Sequence, residues 1–312
     1  MKSILLPTDG TVPSEEAALY AVDMAKRLKA KVKALYAVDD SLYTTYHWAK
    51  IREQVIEELE KDGKDALEKV KKLGREEGVE VEEVMEHGLI HEVIAKHARD
   101  DKDVAMVVMA GSGKDWASRV FLGSVTAKIV RGTRKWVPCP VWVTPCTKLN
   151  PDARLGLRGA ILLPTDGSPP SEDAARYAAK VATLLGARLI ALYVVDTGSI
   201  GFLTTNKDEI IKAMEEEGKR AVDRVAEIGR EEGAVVETVL EKGLVHEVIA
   251  NYARFNKDVS MVIMAGSGKD WASRILLGSV TEKIIRGISK WVPCTIVITP
   301  SQRINPEARL TL

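Results

Sequence analysis

Two tandem α/β domains, each a doubly wound five-stranded parallel sheet, paired as a pseudo-dimer, are what this 312-residue sequence predicts. Three observations predict it. The chain is written twice; each copy alternates short β-branched runs with long segments of helical period; and the first and fourth runs of each copy are almost wholly apolar, as central parallel strands covered on both faces must be.

The duplication comes first. ILLPTDG at Ile4 returns at Ile161, an offset of 157, and LYAVD at Leu35 returns as LYVVD at Leu192 with the same offset. Beyond the next loop the offset is 155: HGLIHEVIA at His87 pairs with KGLVHEVIA at Lys242, and WVPC at Trp136 with WVPC at Trp291. Two residues are therefore lost between Asp40 and His87. NPDARL at Asn150 has its copy in NPEARL at Asn305, so this stretch is the tail of each unit as well as a linker. A period near 156 is too long for a solenoid and reads as a pair of whole domains. The boundaries are 1–146, a linker or repeat tail over 147–158, and 159–312 with its own C-terminal tail.

Each copy reads βαβαβαβαβ. In the first, strands are expected near 3–7, 31–38, 79–85, 104–110 and 139–144, and helices near 14–30, 49–77, 89–100 and 124–135. SILLP opens the sheet. The first helix is opened by Ser14 as N-cap, with Glu15 and Glu16 at its positive end. The second carries EELEKDGKDALEKVKKLGREEG, a solvated face laced with i,i+4 charge pairs. VAMVVMA is the fourth strand, and the fourth helix opens at Gly123-Ser124. The last strand, VWVT or TIVIT, follows a proline and sits at a sheet edge, where an exposed ladder invites pairing. Right-handed crossovers wind such a chain into an open sheet with helices on both faces.

Composition narrows the partners. With 45 Lys+Arg against 45 Asp+Glu the formal charge is zero, so no imbalance points to nucleic acid or an acidic membrane. MKSILLPTDG has a short apolar run stopped by Pro7, too short for a signal-peptide core, and nothing approaches a membrane span. Three cysteines without metal-ligand spacing (Cys139, Cys146, Cys294) suit a reducing setting, and the expected location is cytoplasmic.

Ligands of doubly wound sheets sit beyond the carboxyl ends of the strands where the winding reverses. If strands one and four flank that reversal, the loop Pro7-Thr8-Asp9-Gly10 faces the loop from Gly111 to Ser124. These are also the segments most alike between copies. MAGSGKDWASR occurs identically at 109–119 and 264–274, and residues 109–139 differ from 264–294 at six of 31 positions, whereas the loops after strand two, SLYTTYHW and TGSIGFLTT, share little. Gly111, Gly113 and Gly123 allow positive φ and close approach to a ligand. Gly123-Ser124-Val125-Thr126 then opens a helix whose free N–H groups and dipole attract anions, with the Ser124 and Thr126 hydroxyls as further donors and Lys114 and Arg119 as local charge. A phosphate suits that chemistry. The competing reading is that the glycines only turn the chain and Ser124 only caps a helix. Neither GxxxxGK[ST] nor a GxGxxG after the first strand is present, which removes the commonest ATPase and dehydrogenase readings.

Pro7-Thr8-Asp9 with Pro164-Thr165-Asp166, Tyr36-Ala37-Val38-Asp39 with Tyr193-Val194-Val195-Asp196, and a glycine followed after nine residues by Gly-Ser (Gly113 to Gly123-Ser124, Gly268 to Gly278-Ser279) resemble the universal stress proteins along both halves. The resemblance implies a Rossmann-like, adenine nucleotide alpha hydrolase-like fold that binds ATP, ADP or AMP in stress response or signalling. It places Pro7, Thr8, Asp9, Ala37, Ala110, Gly111, Gly113, Gly123, Ser124, Val125 and Thr126 at the nucleotide in the first copy. In the second it places Pro164, Thr165, Asp166, Val194, Ala265, Gly266, Gly268, Gly278, Ser279, Val280 and Thr281 there. Ala37 and Val194 meet adenine through their backbone, Asp9 and Asp166 lie near the ribose or a metal such as Mg²⁺, and the glycine loops hold phosphates. One departure matters: the family's G-x-x-G is here Gly111-Ser112-Gly113, one residue short in both copies, which suits AMP or ADP better than a triphosphate. Trp116 and Trp271 either lid the pocket or pack on the neighbouring domain.

No Ser/His/Asp or Cys/His set recurs at loop positions, and Asp9 has no evident acid or base companion, so binding without dedicated catalysis is expected. The alternatives are a slow ATP-hydrolysing or nucleotidyl-transferring enzyme, and a nucleotide-free dimeric scaffold. His87, His91 and His97 invite a metal site, but only His91 has a copy, His246, and HEVIA is not the HExxH pattern, so a helix-surface role is expected. The two halves are expected to pair through their final strands, with association of whole chains left open. That pairing brings Cys139 and Cys294 together if the pseudo-twofold axis passes the strand starts. Otherwise each thiol is a small apolar group in its own domain and the contact shifts toward Val143 and Val297.

Overall fold

SILLP and VAMVVMA form neighbouring parallel strands, β1 (Ser3–Pro7) and β4 (Val104–Ala110), buried along nearly their whole length. The computed structural model describes residues 1–39, 49–112, 122–147, 152–154, 156–198, 206–268, 277–289 and 291–312. Around these strands the first half adds α1 (Val12–Leu28), β2 (Lys31–Val38), α2 (Ala49–Glu77), β3 (Val81–His87), α3 (Ile90–Asp100), α4 (Ser124–Gly132) and β5 (Val141–Thr144). The second half repeats the order as β6 (Ala160–Pro164), α5 (Pro169–Leu185), β7 (Leu189–Asp196), α6 (Lys207–Glu231), β8 (Val236–Gly243), α7 (Val245–Phe255), β9 (Val259–Ala265), α8 (Ser279–Arg286) and β10 (Thr295–Thr299).

All ten strands belong to one sheet, in the order β3-β2-β1-β4-β5-β10-β9-β6-β7-β8. Within each half the neighbours are parallel, and the winding reverses between β1 and β4 and between β6 and β9, as expected. The halves meet where β5 and β10 pair antiparallel. One core cluster lies under α1, α2, α5 and α6, the other under α3, α4, α7 and α8, and both run on across the β5–β10 seam. Among the described residues no helix is long and apolar enough to cross a membrane.

The register of the seam corrects the cysteine expectation. Trp142 pairs with Val297, which is its own copy at an offset of 155, so the pseudo-twofold axis passes there and not at the strand starts. Cys139 and Cys294 each lie three residues before that pair on strands running opposite ways. They are about 20 Å apart along the ladder, far beyond the ~7 Å a disulfide spans. Each thiol is fully buried, and burial pushes both up to about 12.

Three boundaries also differ from expectation. α1 begins at Val12 with Thr11 as its cap residue, because Pro13 fits a first helical turn without needing an N–H, and Ser14 turns back to donate to Thr11 O at 2.8 Å. β3 begins at Val81 because the Val79 amide closes the end of α2 on Gly74 O at 2.8 Å. β5 begins only at Val141, since Pro138 and Pro140 cannot donate to a ladder.

The repeated tails cross between the halves. Arg154, in the first tail, donates from Nη1 to Asn256 O at 2.8 Å and from Nη2 to Ala253 O, at the carboxyl end of α7. Arg309, in the second, donates from Nη1 to Asp101 O at 2.9 Å and from Nη2 to Ala98 O, at the carboxyl end of α3. Their amides bond Pro293 O at 2.6 Å and Pro138 O at 2.5 Å. Each half thus caps a helix of the other with a cation where the helix dipole is negative.

Candidate functional site

The first wall of the site is the turn after β1. Gly10 takes φ +74°, which only glycine adopts cheaply, so the chain can reverse directly into α1. The turn is held from inside. Asp9 Oδ1 accepts from the Thr11 amide at 3.1 Å and the Thr11 hydroxyl at 2.6 Å, while Thr8 Oγ1 accepts from the Gly10 amide at 3.3 Å and donates to Ser14 Oγ at 3.2 Å. The second half repeats the pattern. Asp166 Oδ1 accepts from the Ser168 amide at 3.0 Å and its hydroxyl at 2.5 Å, Gly167 has φ +73°, and Thr165 Oγ1 accepts from the Gly167 amide at 3.2 Å. Thr8 and Thr165 therefore brace the turn, and one oxygen of each aspartate is committed to it. Thr11 and Ser168 were not among the predicted site residues. Their signal is the hydroxyl that follows Asp-Gly in both copies.

The second wall is the chain leaving β4. Gly111 O accepts the Gly123 amide at 2.8 Å, and Gly266 O accepts the Gly278 amide at 3.1 Å, so the two ends of each glycine loop are pinned together. α4 and α8 then begin without a side-chain cap, leaving the amides of Ser124, Val125 and Thr126, and of Ser279, Val280 and Thr281, without intrahelical acceptors. The two walls face each other. A Cβ on Gly268 would lie 2.4 Å from Asp166 Oδ2, so only glycine lets that carboxylate stand against the loop.

Two expectations need correction. Gly111 and Gly123 do not take positive φ, nor do their copies Gly266 and Gly278, and Gly113 lies outside the described residues; Gly123 has φ −54° and ψ 141°, open to any residue, and it is Gly10 and Gly167 that require the left-handed region. The Thr126 and Thr281 hydroxyls are not available as phosphate donors. They are buried and donate to Ala110 O at 2.9 Å and Ala265 O at 3.0 Å, tying each helix start to the strand before it.

A further hydroxyl went unpredicted. Ser112 Oγ is buried at the mouth of α4 and finds no partner among the described residues. Its Cα lies 3.5 Å from where a Cβ on Gly123 would stand.

Ala37 and Val194 lie near the carboxyl ends of β2 and β7, paired with Glu86 and Glu241 of the next strands. Beside Ala37, burial pushes the Tyr36 phenol up, and the Asp62 and Asp9 carboxylates push the same way, which places that ring close to the β1 turn. Pro7 and Pro164 end β1 and β6, half-buried below the turns, and Ala110 and Ala265 end β4 and β9. Gly113, Lys114, Trp116, Arg119 and Trp271 lie outside the described residues. His87 is not on a helix surface as expected: it ends β3 in register with Val38, one residue from Ala37, and faces Glu60 at 3.2 Å, whereas His97 lies on α3 and faces Glu86 at 2.8 Å. Among the described residues no three His, Cys, Asp or Glu side chains converge as a metal site.

A separate cavity of about 220 Å³ opens between α4 and α8, lined by Leu122, Val130, Arg131, Leu277, Glu282 and Arg286. There Glu282 Oε1 accepts from Arg131 across the seam at 3.0 Å and from Arg286 at 2.7 Å. Burial pushes the Glu282 carboxyl up, but the two guanidiniums outweigh it and hold it below the usual range.

The profile of the universal stress protein family matches the chain twice, over residues 1–145 and 158–297. Universal stress protein MJ0531 of Methanocaldococcus jannaschii is 36% identical over 142 residues, covering 46% of this chain and 81% of its own. Universal stress protein MJ0577 of the same organism is 30% identical over 146 residues, covering 42% of this chain and 90% of its own. Among solved structures, a universal stress protein from Archaeoglobus fulgidus aligns with 95% of this chain and 97% of its own at 22% identity and a TM-score of 0.64, a likeness of fold.

Proposed function

The chain belongs to the universal stress protein family, with two of its domains in one polypeptide, and on that premise we propose that each half binds an adenine nucleotide as a stress-response or signalling module. The observation that carries the reading is the uncapped start of α4 beside the buried Ser112 hydroxyl, which has no partner among the described residues, at the end of β4 that neighbours the Asp9 turn. Three free amides, a helix dipole and a spare hydroxyl suit a phosphate. The Asp9 and Asp166 carboxylates, each bracing its turn through Oδ1, are the proposed neighbours of the ribose hydroxyls or of Mg²⁺ that arrives with the nucleotide. The backbone at Ala37 and Val194 is the proposed seat of the base. AMP and ADP fit the shortened Gly111-Ser112-Gly113 spacing better than ATP.

Thermal shift with AMP, ADP and ATP tests this. A ligand at a hundred times its Kd stabilises the folded state by about 2.7 kcal/mol per site, a rise of several degrees. In the Gly123→Val/Gly278→Val variant the rise should vanish while the unliganded midpoint stays near that of the parent. A methyl at Gly123 meets nothing closer than 3.5 Å, so the substitution obstructs the phosphate more than the core. Equal nucleotide shifts in parent and variant exclude the phosphate assignment. Product formation over hours, measured on the same samples, decides whether binding leads to turnover.

A further inference from the structure

The base of each glycine loop is anchored by its own half and approached by the other. The Gly111 amide donates to Thr144 O at 3.0 Å and the Gly266 amide to Thr299 O at 3.1 Å, so both loop bases hang from the ends of β5 and β10, the two strands that form the seam. Over these bases sit residues from across the seam. A Cβ on Gly111 would come 2.9 Å from Ile288 Cγ2, and a Cβ on Gly266 would come 3.0 Å from Thr133 Oγ1. Ile288 lies in the turn Gly287–Ser289 that closes α8, and Thr133 is the residue that ends α4; both are fully buried. The Thr133 hydroxyl is also fixed, donating to Val130 O at 2.8 Å.

α4 therefore begins at the loop of its own half and ends against the loop base of the other. α8 does the same in reverse. The two helices are also joined directly through Arg131 and Glu282 at 3.0 Å. A nine-residue helix is a rigid rod about 13 Å long, and a close-packed interior passes a small displacement on rather than absorbing it.

We propose that the two nucleotide sites are coupled through α4 and α8, with Thr133 and Ile288 as positioning residues, each setting the loop base of the opposite half. The proposal rests on the reading that each loop holds a phosphate. A phosphate drawn onto the amides of Ser124 to Thr126 loads α4 along its axis, and the far end of that helix stands over Gly266 with less room between them than a methyl group needs. A phosphate on the amides of Ser279 to Thr281 loads α8 toward Ile288 and Gly111 in the same way. Thr133 and Ile288 are among the six differences between the two otherwise matching segments, so the coupling contacts are unequal, a hydroxyl against one loop and a larger alkyl group against the other.

The test is calorimetric titration of the full chain with ADP. The Gly123→Val and Gly278→Val variants give the affinity of each site with its partner silenced, and the parent gives both together. Coupling predicts a parent isotherm that departs from the sum of the two one-site isotherms by a factor of about five or more in one stepwise constant. In Thr133→Ala/Ile288→Ala, with both sites intact, the isotherm should collapse toward that sum. Thr133→Ser/Ile288→Val supplies a milder pair should the alanines unfold the seam, and it should show a reduced departure. A parent isotherm equal to the sum overturns the coupling and leaves nucleotide binding standing. No heat from the parent overturns the nucleotide reading, and the coupling with it.

Discussion

Replacing Arg309 by alanine should destabilise the protein by about 3 kcal/mol. Two charge-assisted hydrogen bonds, to Asp101 O at 2.9 Å and to Ala98 O, contribute about 1.5 kcal/mol each at the low end for such bonds. The cation at the carboxyl end of α3 adds up to about 1 kcal/mol through the helix dipole. Against this, Arg309 Nε is buried without a partner among the described residues, which offsets about 1 kcal/mol. For a 312-residue chain that loss corresponds to a fall in Tm of roughly 4–5 °C. Urea unfolding followed by far-UV circular dichroism measures it, with scanning calorimetry to show whether the halves still melt together. Arg154→Ala should cost a similar amount, since its fork reaches Asn256 O at 2.8 Å in the equivalent place. Arg309→Lys keeps the charge but not the fork and should recover less than half. If both alanine variants lose no more than the exposed control Arg75→Ala, whose side chain pairs with Glu68 on its own helix, the crossing tails do not hold the halves together.

Two further predictions use one half as the template for the other. Lys29 closes α1 at φ +51°, where the second half closes α5 with Gly186 at φ +63°, so Lys29→Gly should raise stability by about 0.5–1 kcal/mol in urea unfolding; a loss would mean that the left-handed lysine is not strained. Burial pushes the Asp101 carboxyl up, but Lys33, the Asp103 amide and Lys31 outweigh it and hold it below its ordinary range; its contribution is therefore present at neutral pH and lost as pH falls below the carboxylate range. The second half has Ile190 and Asn256 at those two places. Lys33→Ile/Asp101→Asn should leave stability within about 1 kcal/mol at about pH 7 and soften the loss at about pH 3.5; an unchanged acid limb removes Asp101 as its source.

The architecture was legible wherever burial dictates residue type. SILLP and VAMVVMA can only be strands covered on both faces, and the reversal between β1 and β4 then places the Asp9 turn opposite the glycine loop. Seam register was not legible for the same reason. VWVT and TIVIT are buried throughout, so no alternation between faces marks one pairing over another, and the axis fell at Trp142 instead of near the cysteines. The glycines were legible as special positions but not in kind. Gly268 serves close approach to Asp166 and Gly10 serves a positive φ, two demands that leave the same letter in the sequence. The tails hid more completely: NPDARL folded back on its own half and NPDARL crossing to the other are related by the same repeat, and nothing in a single copy distinguishes them.

Fusion of the two halves lets the axis be filled asymmetrically. Two identical chains paired about a twofold at this position must place a residue against its own copy. Two tryptophans there would overpack the seam and two valines would leave it short of atoms, errors worth about 1–3 kcal/mol in a close-packed core. Here the pair is Trp142 with Val297, both fully buried on the same face of the sheet. The indole then needs an acceptor, since a buried N–H left alone costs about 1–3 kcal/mol, a large share of what the ring's burial contributes. Tyr177 of α5 supplies it, its hydroxyl accepting from Trp142 Nε1 at 3.1 Å, in surroundings that push its phenol well above the usual range through burial. The matching residue of the first half, Tyr20, has a valine in place of that tryptophan and turns its hydroxyl to the tail, donating to Arg154 O at 2.8 Å and accepting from the Gly156 amide at 3.0 Å. The same tyrosine position thus seals the seam in one half and ties down the crossing tail in the other, a division of labour open to a fused pair and closed to a symmetric one.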